Sequence, residues 1–582
     1  MALELVSPNT YRRSEVLRSV WPWLPLWTVV ALIAIFSHGP MPLYSTRTLA
    51  VAWEMWHEHS WLVPHINGEP YSEKVPLLFW LIHAGWFVFG VSDVWPRVLE
   101  VIFGGVQLVQ LSILARRLFP DRPWVAKAAP WMLMALSYAF LFGLQVMYEV
   151  LLADCVLGAL LCLTPTMKRS EPRWLLFGIM IGAGLLTKGP VMLLHIAFPW
   201  LLGPLWNDWA REHRARWYGR GVLSVLLGFA LLVAWAIPAG FSGGDAYRHR
   251  LFFTQTAGRV VNGMQHDEPL QSHPNWFGWY LVWLPMLLFP FSGWPRVWVA
   301  LGTLRKPLGS GLSFALCWLL PSFVVFSLIS GKQWYYLLPE FGGWMLLVAG
   351  AIAVLREQRA ALAENYWLGS WILGVGGIVF AGVLFALPYI SASHAIHSEW
   401  VEGAAPYSRT FSVAFLLLGC LLLVRGRGEM RRVAVAGLLG ALALNTLFTL
   451  TLWHKYDLSP TTALISSAQA EHHPVAFEGS YEGQFHFAGQ LTQSITELHN
   501  GQALQGFASD HPDGLIITHP SHLDATARRY ALLAQPFRSS WVAVWSAPTL
   551  AALRAGRTPS EPAQPPRVFA AGTASVQYGA QP

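Results

Sequence analysis

Three lysines stand where the charge pattern of the chain does not predict cations. Lys74, Lys188 and Lys332 each lie within two residues of a Gly or Pro, at the outer end of an apolar segment. Arg47 and Arg259 fall on the same outer side. Ammonium and guanidinium groups bind phosphate through charge-assisted hydrogen bonds. Together these cations predict an anion site at the membrane surface, and a lipid phosphate is the obvious anion. For any single lysine the alternative is an ordinary anchor that reaches to the interface.

Two carboxylates on the same side are candidates for general-base chemistry. Glu73 adjoins Lys74, and Asp154 lies inside an apolar segment. A carboxylate within a membrane span is costly and is a functional hypothesis by default. Transfer of a group to a hydroxyl needs a base near that hydroxyl. The alternative for each carboxylate is a structural role as the partner of a lysine.

A metal ligand and two tyrosines complete the candidate residues. His266 is followed by two acidic residues, so it predicts a ligand for a divalent metal ion, to which Glu73 would contribute. An ordinary solvated turn is the alternative for this cluster. Tyr71 and Tyr335 are placed to contact a sugar or a phosphate, although an aromatic belt at the membrane interface explains tyrosines equally well.

Composition indicates that an integral membrane protein positions these residues. Of 582 residues, 54% are hydrophobic and only 12% are charged, and the mean hydropathy is +0.41. A soluble domain carries about 25% charged residues. Four segments without Asp, Glu, Lys or Arg are long enough to cross a bilayer, which takes about 20 residues; they are 221–244, 307–331, 367–393 and 433–453. The net charge of +7 resides in short loops between apolar segments, so it does not predict nucleic-acid binding.

The positive-inside rule predicts the topology. The basic clusters assigned to the cytoplasm are Arg12 to Arg18, Arg116 to Arg122, Lys168 to Arg173, Arg211 to Arg220, Arg305 with Lys306, Arg356 to Arg359, and Arg425 to Arg432. About 13 transmembrane helices connect them, at 21–37, 97–115, 124–142, 149–166, 173–187, 190–205, 221–240, 276–295, 311–330, 335–355, 367–388, 410–424 and 431–453. We expect 77–92 to be a juxtamembrane or re-entrant helix and 46–58 to lie flat on the surface.

The predicted fold class is therefore a polytopic α-helical membrane protein with a small external α/β domain. Residues 1–453 form the membrane module, with a first outer loop at 38–96 and a second at 243–275. The amino terminus is cytoplasmic. Residues 454–555 are polar and contain short strand-like runs, so they predict an α/β domain outside the membrane. Residues 556–582 are rich in Pro, Ala and Gln and are expected to be disordered.

Several motifs, taken in order, resemble the membrane glycosyltransferases with the GT-C fold. The segment Tyr71-Ser72-Glu73-Lys74-Val75-Pro76 is similar to a Tyr-x-Glu-Lys-Pro-Pro run in that family, with Val75 in place of the first Pro. The segments Leu185 to Pro190 and Lys332 to Pro339 resemble two further family motifs. The resemblance covers most of residues 40–350 and is nearest to the aminoarabinose transferases and the bacterial relatives of protein O-mannosyltransferases (glycosyltransferase families 39 and 83).

The resemblance implies a sugar transferase of the bacterial inner membrane. The implied donor is a polyprenyl-phosphate-linked sugar, and the implied acceptor is a lipid, glycan or protein on the periplasmic face. In this context Arg47, Lys74, Lys188, Arg259 and Lys332 would hold the donor phosphate. Asp154 would match a family Asp, and His266 would match a histidine linked to a metal.

The chain departs from the family at one position. An acidic pair precedes the first outer helix in the family and supplies its favoured base, whereas this chain has Tyr44 and Ser45 there. We therefore expect either that Glu73 or Asp154 acts as the base or that the acceptor needs little deprotonation. A binder of lipid-linked sugars without catalysis, a transporter, and a structural assembly subunit are the alternatives. A transporter more often shows paired repeats and polar residues at the midplane.

Overall fold

The computed structural model of the chain describes residues 22–166, 169–253, 275–305, 307–329, 331–393, 399–426 and 428–559. Within these ranges the chain is mainly helical, and seven helices are long and apolar enough to cross a membrane. These seven segments are Val94–Leu118, Arg214–Ser242, Ser310–Leu328, Trp334–Gln358, Trp371–Ala392, Trp400–Leu423 and Glu429–Thr451. The chain is therefore a polytopic helical membrane protein.

The described helices are numbered here in chain order. Up to residue 249 they are α1 (Leu24–Phe36), α2 (Ser45–His57), α3 (Leu77–Phe89), α4 (Val94–Leu118), α5 (Pro123–Ala135), α6 (Ser137–Phe142), α7 (Tyr148–Leu163), α8 (Trp174–Lys188), α9 (Val191–Leu201), α10 (Asp208–Glu212), α11 (Arg214–Ser242) and α12 (Gly244–His249). From residue 279 to 451 they are α13 (Trp279–Leu287), α14 (Pro295–Gly302), α15 (Ser310–Leu328), α16 (Phe341–Gln358), α17 (Ala360–Ala363), α18 (Trp371–Ala392), α19 (Glu399–Leu423) and α20 (Glu429–Thr451). A 3₁₀ segment, Trp334–Glu340, precedes α16.

Several of the predicted spans fall on helices shorter than a bilayer. Helix α8 has 15 residues and α9 has 11, so they reach only about 22 and 16 Å against a hydrocarbon core of about 30 Å. The predicted span 276–295 is not one helix, because α13 ends at Leu287. Pro290 follows, and a proline disfavours helical backbone in the residue before it. The count of 13 spans stays a prediction.

The first outer segment contains a short hairpin between α2 and α3. Strands β1 (His65–Ile66) and β2 (Glu69–Pro70) pair antiparallel. Asn67 and Gly68 form the turn with φ values of 56° and 80°. A two-residue turn with both φ values positive suits the right-handed twist of a hairpin, and Asn-Gly is its preferred sequence.

Beyond α20 the chain forms a five-stranded mixed sheet with helices on both sides. Its strands are β3 (Val475–Glu478), β4 (Thr496–Leu498), β5 (Leu515–Thr518), β6 (Leu533–Phe537) and β7 (Ser540–Ser546), in the spatial order β4-β3-β5-β7-β6. The helices are α21 (Ser459–Ala470), α22 (His486–Gly489), α23 (Gly501–Asp510), α24 (Ala525–Arg528) and α25 (Ala547–Arg554). Strand β3 runs parallel to β4 and β5, and β7 runs antiparallel to β5 and β6. The short strand-like runs of the sequence, at 474–477, 514–517 and 541–545, coincide with β3, β5 and β7. Residues 560–582, most of the predicted disordered tail, lie outside the described residues.

The carboxy-terminal sheet unit packs on the first outer segment. Trp53 donates its indole N–H to the carbonyl of Leu491 over 2.9 Å. The side chain of Asn67 makes two hydrogen bonds with the backbone of Ile495, of 2.7 and 2.8 Å. That α2 lies flat on the surface stays a prediction. Its residues from Thr48 to Met55 are buried, and they pack mainly against α3 and the start of α7 and also against Phe487 of this unit.

Candidate active site

Lys74 lies in the loop between the hairpin and α3, among an acid and two aromatic rings. Its Nζ is 3.7 Å from Oε2 of Glu73. The same atom lies 6.0 Å from the ring centre of Tyr71 and 5.8 Å from that of Tyr148. The hydroxyl of Tyr71 donates to Oε2 of Glu73 over 3.0 Å. Burial and the neighbouring Glu73 raise the pKa of Tyr71 above its usual value, so the phenol stays protonated and can donate.

Lys188 is the last residue of α8, where Gly189 ends the helix with a φ of 71°. Its Nζ donates to Oε1 of Glu149 over 2.6 Å. The same ammonium lies over the ring of Tyr336, 4.5 Å from its centre, and 5.9 Å from that of Tyr335. The Lys188 side chain is 19% exposed and that of Glu149 only 4%, so the carboxylate is the more deeply buried partner.

The start of α7 joins the two lysines into one site. Tyr148 contacts Lys74 and the next residue, Glu149, binds Lys188. Both side chains are buried at the outer end of the bundle. The structure therefore brings together Glu73, Lys74, Tyr71, Lys188 and Tyr335, which the sequence singled out separately.

Tyr44 occupies the position at which the family resemblance expects an acid. Its ring packs edge-on against Tyr335 with the centroids 5.1 Å apart. Burial, followed by the nearby charge of Glu149, raises its pKa far above the usual range. Tyr44 is therefore a neutral phenol and cannot replace a carboxylate as a base. The hydroxyl of the next residue, Ser45, accepts a hydrogen bond from the N–H of Val146.

Arg47 points toward the carboxy-terminal unit as well as toward the site. Its guanidinium forms an ion pair with Glu482, and both side chains are 30% exposed. The arginine also interacts with Tyr71 and Glu73. Arg47 thus links the carboxy-terminal unit to the loop that carries Lys74, which the sequence did not predict.

Asp154 lies further along α7 than Tyr148 and Glu149, the residues that contact the two lysines. The residue is 8% exposed, and neither of its carboxyl oxygens has a hydrogen-bond partner among the described residues. Its electrostatic neighbour is the fully buried Glu100 of α4. Whether Asp154 takes part in chemistry stays a prediction.

The remaining predicted residues lie at or beyond the edge of the described chain. Lys332 donates to the carbonyl of Asn275 over 2.7 Å, beside the point where residues 254–274 leave the described structure. Arg259 and His266 fall in that segment and lie outside the described residues. The described ranges contain no group of three or more His, Cys, Asp or Glu side chains that could hold a metal ion. The metal ligands Glu73 and His266 stay a prediction.

Glu149 is the site residue that the sequence reasoning missed. It stands in the first turn of α7, so its position at the edge of an apolar segment resembles that of a solvated terminal acid. The available signal was its place beside Tyr148 on the outer side, five residues before Asp154. Its partner Lys188 is 39 residues away, and no local pattern predicts that pairing.

Comparison with known proteins agrees with the resemblance seen in the motifs. Residues 72–235, which include Glu73, Lys74, Glu149 and Lys188, match a family described as dolichyl-phosphate-mannose-protein mannosyltransferase. An undecaprenyl phosphate-alpha-4-amino-4-deoxy-L-arabinose arabinosyl transferase of Pseudomonas fluorescens is 26% identical over 437 residues, covering 72% of this chain and 68% of the relative. The Aeromonas hydrophila protein of the same name is 26% identical over 420 residues, covering 68% and 72%.

A solved structure shares the fold. The crystal structure of ArnT from Cupriavidus metallidurans bound to undecaprenyl phosphate superposes with a TM-score of 0.66 at 18% identity, covering 91% of this chain and 98% of that one. Its apo form gives a TM-score of 0.67. The fold expectation for a GT-C membrane protein is confirmed. Together with the transferases that match the sequence, this identifies the chain as a membrane glycosyltransferase of the GT-C fold, related to the aminoarabinose transferases and the protein mannosyltransferases.

Proposed function

We propose that the chain transfers a sugar from a polyprenyl-phosphate carrier to an acceptor on the periplasmic face of a bacterial inner membrane. One observation carries the proposal: Lys74 and Lys188 lie beside adjacent residues, Tyr148 and Glu149, at one end of the helical bundle. Two ammonium groups at the end of apolar helices suit a phosphate whose lipid tail lies among those helices. The relatives supply the donor class, because their names specify undecaprenyl phosphate linked to an amino sugar.

The proposed orientation follows from the charge pattern. Seven basic clusters on one side favour a cytoplasmic amino terminus, about 13 spans, and a periplasmic carboxy-terminal α/β unit. In this orientation Lys74, Lys188 and Lys332 face the periplasm. The acceptor is a lipid, a glycan or a protein that reaches this face.

The chemistry requires stabilisation of a leaving phosphate. The bond between the anomeric carbon and the phosphate oxygen breaks, and the polyprenyl phosphate leaves with the electron pair. Lys74 and Lys188 neutralise the developing charge, which is the contribution expected of preorganised cations. Arg259 and Lys332 would add to this, and Tyr71 and Tyr335 would contact the sugar or phosphate. A divalent ion held by Glu73 and His266 would provide further positive charge.

The acceptor hydroxyl needs a base, and the sequence proposes Glu73 and Asp154. Glu73 is at the rim, where its side chain is 38% exposed and paired with Lys74. Asp154 is buried among α4 and α7. Neither lies as close to Lys188 as Glu149 does.

Turnover by the purified full-length chain tests the proposal. We expect liposome-reconstituted protein to consume a polyprenyl-phosphate sugar and release polyprenyl phosphate, with the rate depending on the acceptor. Binding of the donor without consumption would favour a non-catalytic binder. Appearance of intact donor in the opposite leaflet would favour a transporter.

A further inference from the structure

One carboxylate oxygen of Glu149 accepts a hydrogen bond from a cation, and the other accepts none from the described residues. Its Oε1 accepts from the ammonium of Lys188 over 2.6 Å. Its Oε2 is buried and has no hydrogen-bond partner among the described residues. Buried polar atoms in folded proteins are nearly always hydrogen bonded, so an exception calls for an explanation. A carboxylate with an open acceptor site is suited to take a proton.

Glu149 lies close to Tyr44, the residue found where the family resemblance expects an acid. Its charge acts on the phenols of Tyr44 and Tyr335. Tyr44 stands at the position that carries an acid in the related transferases. The side chain of Tyr44 thus fills the place of that acid at the start of α2, and a carboxylate approaches the same place from the start of α7.

The geometry of α7 separates Glu149 from Asp154. Five residues of α-helix turn the second side chain by about 140° and carry it about 7.5 Å further along the axis. Glu149 pairs with Lys188, whereas the carboxyl of Asp154 has no hydrogen-bond partner among the described residues. Both acids interact electrostatically with Glu100. The two carboxylates therefore cannot approach one acceptor hydroxyl from the same side of the helix.

Lys188 connects the carboxylate to the donor. The side chain of Lys188 is 19% exposed and that of Glu149 only 4%, so the lysine is the partner that an incoming phosphate meets first. A phosphate that draws the ammonium away from Glu149 uncovers a buried carboxylate and removes its counter-charge. The Oε1 atom of Glu149 is then no longer occupied by the ammonium.

From this arrangement we infer that Glu149 is the general base of the transfer, released for that role when the donor phosphate takes over Lys188. The inference rests on the proposed function. In the step, the acceptor oxygen forms a bond to the anomeric carbon and its proton passes to Glu149. The bond from the anomeric carbon to the phosphate oxygen breaks, and polyprenyl phosphate leaves with the electron pair. The proton on Glu149 is afterwards lost to solvent.

The test compares Glu149→Gln and Lys188→Ala in the full chain for turnover and for binding of undecaprenyl phosphate. We expect Glu149→Gln to lower turnover at least about 100-fold, the effect typical of losing a positioned base. Its affinity for undecaprenyl phosphate should stay equal to wild type or rise, because the lysine no longer has a competing carboxylate. Lys188→Ala should weaken that affinity. Added formate should partly restore turnover to Glu149→Ala, and Glu149→Asp should retain part of the activity.

Glu357→Gln is the matched control. Glu357 also accepts from a cation, Arg122, over 3.0 Å, but it lies about 24 Å along α16 from the end that meets the site. This variant should behave as wild type. Turnover of Glu149→Gln within about threefold of wild type would overturn the inference. So would a parallel loss of binding and turnover without rescue by formate, since that indicates a residue that only positions Lys188. A wild-type protein that consumes no donor would instead refute the proposed function.

Discussion

The Nζ of Lys188 lies 2.6 Å from Oε1 of Glu149, and this pair joins the end of α8 to the start of α7. The contact places a cation that can bind a donor phosphate directly against a carboxylate that can take a proton. The family resemblance leads us to expect an acid at the start of α2, and here that place is taken by Tyr44. The site thus contains both a cation and a carboxylate, but the carboxylate lies on α7 instead of at the start of α2.

The first prediction concerns Lys188 and the donor. We expect Lys188→Ala to reduce kcat/KM for a polyprenyl-phosphate sugar by about 100-fold or more, the range found when one preorganised charge-stabilising group is removed. The measurement is steady-state release of polyprenyl phosphate. Lys127→Ala, which removes an exposed lysine of α5, is the control and should keep wild-type kinetics. Equal kinetics for the two variants would argue against a role for Lys188 in donor binding.

The sequence predicted those features that depend on local chemistry. Lys74 and Lys188 were found because cations at the outer ends of apolar segments violate the positive-inside rule. Strands β3, β5 and β7 were found because their apolar residues are continuous. Strand β4 has three residues, and β6 contains a proline, so neither gives a strong signal.

Long-range pairs were not predictable in this way. Glu482 is 435 residues from Arg47, and Ile495 is 428 residues from Asn67. Only the packing of the carboxy-terminal unit on α2 and the hairpin brings them together. Periodicity places residues on a face of an element, but it does not identify the surface that this face will meet.

The second prediction tests the hairpin that contacts the carboxy-terminal unit. Gly68 has a φ of 80°, and a Cβ there would lie 2.5 Å from Oγ of Ser494. We expect Gly68→Ala to destabilise the protein by about 1–2 kcal/mol, the cost of a left-handed backbone for a residue with a Cβ. Thermal unfolding in detergent measures the effect. Gly501→Ala, at a position with open space around the added Cβ, should not destabilise the protein; an equal loss in both variants would contradict the prediction.

The third prediction tests the proposed orientation. A phosphatase that is active only in the periplasm should be active when fused after Trp453, because the carboxy-terminal unit is proposed to be external. The same enzyme fused after Arg305, in a basic loop, should be inactive. The reverse pattern would invert the topology and place Lys74 and Lys188 on the cytoplasmic face.

The fourth prediction concerns the ion pair between Arg47 and Glu482. Both side chains are 30% exposed, so a double-mutant cycle with alanine at each position should give a coupling energy of about 1 kcal/mol or less. The pair Arg554 and Glu478 is the control; the arginine is 54% exposed, and the coupling energy should be smaller. Because Arg47 interacts with two carboxylates, Glu482 and Glu73, whereas Lys188 pairs with Glu149, Arg47→Ala should weaken undecaprenyl phosphate binding less than Lys188→Ala does. A larger effect at Arg47 would make it the main phosphate ligand.

The last prediction concerns the pH dependence of the contact between α2 and the carboxy-terminal unit. Burial raises the pKa of Glu54 from 4.5 to about 7, although its oxygens accept from the backbone N–H groups of Asn67 and Gly68 over 2.6 and 2.9 Å. Between these two pKa values the folded protein holds a proton that the unfolded chain has released. The free energy of unfolding therefore falls as the pH rises through this window.

Glu54→Gln removes this titration, so the stability of wild type relative to this variant should fall by about 3 kcal/mol between pH 4 and pH 8. His486, whose Nε2 is 3.5 Å from Glu54, has a pKa lowered to about 4 by burial and contributes a slope of the opposite sign. Because the two groups are in contact, the comparison is repeated in a His486→Gln background, where this opposing contribution is absent. Asp510→Asn, at an exposed position of α23, is the control and should keep the wild-type slope. A difference between wild type and Glu54→Gln that is constant over this pH range would show that Glu54 titrates as it does in the unfolded chain.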